Sequence, residues 1–187
     1  MTLEATVRQS ILSQFEAALA MFDECIRKCS AEHWDMLIAK YPFWQVAYHT
    51  LCFVECYLAP SNEVFTKRVE DRVAANTRGE NVPDFQPAGM KELEDEYPSR
   101  RMTQEELLIY FAFCLEQARM VLGSESTEQL DAPSMFPWLA MNRVETHIHN
   151  IRHIQHHTGQ LGVALRKVGV KVGWTKMGFE PPRSYGD

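Results

Sequence analysis

Apolar residues recur at steps of three and four through Val7, Ile11, Phe15, Ala18, Phe22, Cys25 and Cys29, the stripe of an amphipathic helix from about residue 3 to 29. Ser30-Ala-Glu-His-Trp interrupts it. Pro42 suits a first helical turn, and a second helix is predicted from about Pro42 to Leu58. In it Phe43, Ala47, Leu51, Val54 and Leu58 form one stripe, and His49, Cys52 and Cys56 form another on nearly the opposite side. With Trp44, Tyr48, Phe53 and Tyr57 between them, this helix is apolar almost all round and must be covered on more than one face. Thr103 with Glu106 is a capping box, and Leu107, Phe111, Cys114, Ala118 and Val121 carry a third helix on to Gly123. Asn142 with Glu145 opens a fourth, which extends to about Val168 and is stopped by Gly169.

Residues 60–102 break this pattern with Pro60, Pro83, Pro87 and Pro98 and the acidic run KELEDEY, and they read as a long decorated crossover with short helices near Ser61–Ala75 and Pro87–Tyr97. The tail, residues 170–187, is rich in glycine and proline and is expected to pack as an extended strap. No strand pattern and no repeat is visible. Four long helices with a long connection between the second and third predict an all-α, four-helix bundle, and 187 residues suit a single domain over 1–187.

Charge narrows the function classes. A formal net charge of −6 with no basic cluster argues against nucleic acid as a partner. The best apolar run, Leu107 to Leu115, falls short of the ~18 residues that a membrane span needs, so no membrane association is expected. Glu4 near the start and the lack of a long apolar segment there do not fit a secretion signal, and a cytoplasmic protein is expected. Cys25, Cys29, Cys52, Cys56 and Cys114 are an odd number of thiols. Four of them are spaced C-x3-C within helices, as small buried hydrophobes are, rather than in zinc knuckles. The all-round apolar second helix also suggests a homodimer.

The concentration of histidine is the chemical signal. Five of the seven histidines, His147, His149, His153, His156 and His157, fall within one helix. Taking ~100° per residue from His149, the apolar face centres near about 150°, with His153 near about 40° and His157 near about 80°, on the shoulder between core and solvent. His149 and His156 turn further toward water, and His147 points into the apolar side. His153 and His157, spaced i and i+4, are therefore the best inward pair for a divalent metal, and His49 in the middle of the second helix is the natural third ligand. His33 lies in a connection. The competing reading is that these histidines only pack the helices or coat a polar face, and spacing does not decide between the two.

The segment HNIRHIQHHTGQLGVALRKVGV resembles the last-helix signature of the DinB/YfiT-like superfamily of bacterial proteins, H-x-x-x-H followed by a G-Q pair. FWQVAYHTLCFVECYL resembles that family's second helix with its single histidine. The resemblance implies a four-helix bundle with a long connection after the second helix. It also implies metal ligands at His49, His153 and His157, with Gly159 and Gln160 as the G-Q pair. Thr158 departs from the family, where Arg is frequent, so a basic contact beside the site is expected to be missing. Imidazole suits zinc, nickel, iron and copper alike, and zinc is taken as the default ion with nickel next.

The activities that the resemblance implies are metal-dependent hydrolysis, and thiol-dependent transfer or isomerisation with a small-molecule thiol or another small substrate. Glu55 and Glu145 are the acids to consider as a general base, although Glu55 reads as the solvated side of its helix and Glu145 as a capping residue. The alternative is a non-catalytic, stress-related structural dimer braced by the metal or by the histidines themselves. A three-ligand site would count against it, since structural zinc takes four.

Overall fold

The computed structural model describes residues 2–80, 82–83, 85, 101–181 and 183. The described chain is mainly helical. Its elements are α1 (Leu3–Lys28), a 3-10 turn (Ala31–His33), β1 (Leu37–Ile38), β2 (Tyr41–Pro42), α2 (Phe43–Leu58), α3 (Asn62–Thr77), α4 (Gln104–Ser124), α5 (Thr127–Asp131) and α6 (Arg143–Lys167). α1, α2, α4 and α6 match the four periodic segments. Both predicted capping boxes form, Thr103 with Glu106 on α4 and Asn142 with Glu145 on α6. α6 ends at Gly169, whose φ of +83° favours glycine, with Gly169 N–H donating to Arg166 O at 3.1 Å and Val170 N–H to Leu165 O at 3.0 Å.

α1 packs against α4 and α6, and α2 packs against the same two, so these four helices close a ring around one apolar interior. Fourteen of the sixteen residues of α2 are buried, and only Gln45 and His49 are not. The chain itself covers this helix, with α4, α6 and α3 on its several faces. The exposed apolar patch that suggested a homodimer is therefore not present on α2.

Two features differ from the sequence reading. β1 and β2 pair as an antiparallel ladder, Leu37 opposite Pro42 and Ile38 opposite Tyr41, around a turn in which Ala39 takes φ +55°. Two-residue strands carry no readable alternation, so the pattern could not reveal them. α4 is long and apolar enough, by length and composition, to cross a membrane, although its longest unbroken apolar run is short. Its Leu107, Tyr110, Phe111, Cys114, Ala118 and Leu122 line the protein core instead.

α3 forms where a short helix was expected, and Ser61 caps it by accepting from Val64 N–H at 3.2 Å. The helix expected over Pro87–Tyr97 lies outside the described residues. After α6 the chain turns back along α1. Lys28 Nζ donates to Lys171 O at 2.9 Å, Gly173 N–H to Glu24 Oε2 at 2.6 Å, Gln14 Nε2 to Lys176 O at 3.1 Å and Gly178 N–H to Ser13 O at 2.9 Å. All five cysteines are buried thiols. Burial pushes the Cys25 and Cys29 thiols up to about 12, so both stay protonated and act as apolar packing.

Candidate metal centre

His49 is a half-buried imidazole on a helix in which every other residue but Gln45 is buried, and it faces α6. His153 and His157, one turn apart on α6, come to meet it. His153 Nε2 lies 3.4 Å from His49 Nε2 and 3.1 Å from His157 Nε2, and the three ligand atoms all lie within 4.8 Å of one another. Three nitrogens bound tetrahedrally at ~2.0–2.1 Å stand about 3.3 Å apart, so the spacing of this trio is that of a group that could hold one divalent ion. Phe53, one turn along α2 from His49, sets its ring at 4.8 Å from that of His49 and 5.0 Å from that of His153, an apolar wall behind the nitrogens.

The tautomer of His157 is legible. Its Nδ1 sits 2.9 Å from Gln160 Oε1, which only accepts, so Nδ1 carries the proton and the Nε2 lone pair points to the other two rings. Gln160 Nε2 in turn approaches His156 Nε2 at 3.2 Å, so the amide holds both imidazoles. Burial, reinforced by the neighbouring imidazoles, takes His153 down to about 2. Burial also takes His157 down to about 4, against the opposing effect of the Gln160 bond. Both are neutral donors at physiological pH.

These shifts have a measurable consequence in the metal-free chain. The unfolded chain takes up protons near the ordinary histidine value of about 6.5, whereas the folded chain refuses them until far lower pH. Stability is therefore full above about pH 6.5 and falls as the pH is lowered toward the folded values, by about 1.4 kcal/mol per pH unit for each imidazole. Urea denaturation between pH 7 and 5 is expected to show this slope, and a flat profile would contradict it.

Other residues named from sequence lie elsewhere. Glu55 is not on a solvated face: it is 1% exposed on the α3 and α4 side of α2, where Arg72 Nη1 donates to its Oε1 at 2.7 Å and Tyr110 Oη to its Oε2 at 2.7 Å. Glu145 is engaged in the α6 cap. Thr158 is not beside the trio. It is buried toward α1, its Oγ1 donating to Ile154 O at 2.7 Å, and the Cys25 thiol approaches its carbonyl. Gly159 is exposed, and a Cβ there would meet nothing within 4 Å, so of the G-Q pair only Gln160 has a visible task. His149 rests edge-on against Tyr57 at 5.3 Å, and His156 is exposed.

One cluster escaped the sequence reading. His147, fully buried, places Nε2 2.6 Å from Glu125 Oε2, while Arg143 Nε donates to Glu125 Oε1 at 2.8 Å. The same guanidinium donates to the carbonyls of Tyr57, Leu58 and Ala59, closing the C-terminal end of α2. A signal existed: an acid at the C-cap of α4 opposes the helix dipole and calls for a cationic partner.

A family model described as the DinB family matches residues 2–183. No curated protein and no solved structure matches the chain.

Proposed function

The chain belongs to the DinB family, and on that premise we propose that it is a metal-dependent enzyme of thiol-dependent S-transferase, isomerase or hydrolase type, with His49, His153 and His157 holding a divalent ion. The reading takes the ring of four long helices as the family's bundle and residues 60–102 as its long connection. The observation that carries it is the approach of His153 Nε2 to within 3.1 and 3.4 Å of two other imidazole nitrogens on a half-exposed face.

A divalent ion held by neutral imidazoles keeps its charge and lowers the pKa of a bound water or thiol, which supplies a nucleophile at neutral pH. The residues of the chain supply the rest. His49, His153 and His157 offer imidazole nitrogens from two helices that the core holds rigidly. Gln160 fixes the ring of His157, and Phe53 keeps water from the inner side. Imidazole suits zinc, nickel, iron and copper alike, and zinc is taken as the default ion with nickel next. With Glu55 and Glu145 both committed elsewhere, neither acid named from the sequence serves as general base. The nucleophile in either reaction is then the metal-activated water or thiol itself.

The test compares metal-free and zinc- or nickel-loaded protein in two assays, transfer of cysteine to an electrophilic aryl halide and hydrolysis of an activated ester. Turnover that requires the metal and is lost in His49→Ala is expected. Equal rates with and without metal would refute a metal-dependent enzymatic role and leave a non-catalytic, bracing role for the three histidines as the better account.

A further inference from the structure

Three buried side-chain atoms on α6 have no hydrogen-bond partner, and they fall at steps of three residues: His147 Nδ1, Asn150 Oδ1 and His153 Nδ1. Buried polar atoms are nearly always satisfied, so each such atom calls for a reason. Their chemistry sorts them. Asn150 is fully buried, and its Nδ2 donates to the carbonyl of Val54 at 3.2 Å. A carbonyl accepts only, so the amide cannot be flipped, and Oδ1 is an acceptor in want of a donor.

His147 cannot supply that donor. Its Nε2 faces the Glu125 carboxylate, which also only accepts, so the ring proton is on Nε2. Burial keeps the ring neutral and leaves Nδ1 a second bare acceptor. His153 is the opposite case. With a divalent ion among the three nitrogens, its Nε2 lone pair is committed to the centre of the trio and its proton sits on Nδ1, a donor in want of an acceptor. Of the three unpartnered atoms only His153 Nδ1 then donates, and the unpartnered amide oxygen three residues before it is on the same helix, within side-chain reach.

We propose that Asn150 is a positioning residue for His153, its Oδ1 accepting the Nδ1–H directly or through one water once Nε2 is committed to an ion. This rests on the reading of the trio as metal ligands. Gln160 already does the same for His157 from three residues on the other side, so that a side-chain amide oxygen orients each of the two trio histidines on α6.

The test uses the full chain, with zinc as probe in competition with a chromophoric chelator. Asn150→Leu, close in shape but without the acceptor, is expected to weaken zinc binding by about 10- to 100-fold. Asn150→Asp keeps an acceptor and is expected to bind within a few-fold of wild type. Equal affinity of Asn150→Leu and wild type would overturn the proposal. So would equal weakening of both variants, which would trace the effect to the lost bond with Val54.

Should Asn150→Leu not fold, nitrogen-15 spectra of the zinc-loaded wild type decide instead. A slowly exchanging Nδ1–H on His153 is expected, and rapid exchange with solvent would overturn the proposal. Wild type that binds no zinc refutes the metal reading itself and this inference with it, whereas tight wild-type binding unaffected by the leucine substitution refutes only the role of Asn150.

Discussion

His153→Ala is expected to bind zinc at least a hundredfold more weakly than wild type while remaining folded. Its Nε2 is the central one of the trio, 3.1 and 3.4 Å from the other two, so its loss leaves two nitrogens on different helices. Zinc sites with four protein ligands contribute about 10–16 kcal/mol, so the share of one ligand is about 3 kcal/mol, roughly two orders of magnitude in affinity. The metal-free fold should tolerate the change. Alanine removes the unpartnered buried Nδ1 and the crowding of three imidazoles, which offsets part of the packing lost. Circular dichroism and a chelator competition assay check both halves, and unchanged affinity in the folded variant would contradict this role.

Glu55→Ala should have the largest effect on stability and none on the metal site. The carboxylate pins α3 and α4 to α2 through Arg72 and Tyr110. Phe85 stacks on Tyr110 at 4.4 Å, and the Arg72 guanidinium sits over Phe85 at 5.4 Å and Phe113 at 5.8 Å. Burial works against the charge of Arg72, and Glu55 more than restores it, holding that guanidinium above its ordinary value. Removing one partner of such a pair strands the other. The expected cost is about 3–5 kcal/mol, a fall in melting temperature of about 10 °C for a chain of this size. Zinc affinity should stay at the wild-type value, because Glu55 and the trio lie on different sides of α2. A stability loss under about 1 kcal/mol would mean that Arg72 escapes to solvent.

How much of this was open to reading depends on how far apart in sequence the interacting groups lie. The helices and the caps at Thr103 and Asn142 are written in local spacing, and the structure repeats them. His153 and His157 are four apart on one helix, so their common direction follows from helical pitch. His49 stands out as a lone imidazole in an apolar helix, although its facing α6 rests on tertiary packing, which its place on the second stripe suggested and the resemblance implied. Glu55 misleads for the opposite reason. A single acid in an apolar stripe looks solvated until Arg72 and Tyr110, from two other helices, are brought to it.

Glu125 is a similar case, since its partners Arg143 and His147 come from the next long helix. The Ser126 and Gln129 capping box of α5 was legible in principle, but it lies in a stretch too short to show a period. The apolar girth of α2 signalled that partners were needed without saying that the same chain provides them.

The most direct test is metal content. Tag-free protein purified without chelators or a nickel column, stripped and then titrated with zinc, is expected to take up about one ion per chain, and His49→Ala, His153→Ala and His157→Ala to lose it. A folded wild type that takes up neither zinc nor nickel would contradict the account and make these three histidines packing residues between α2 and α6.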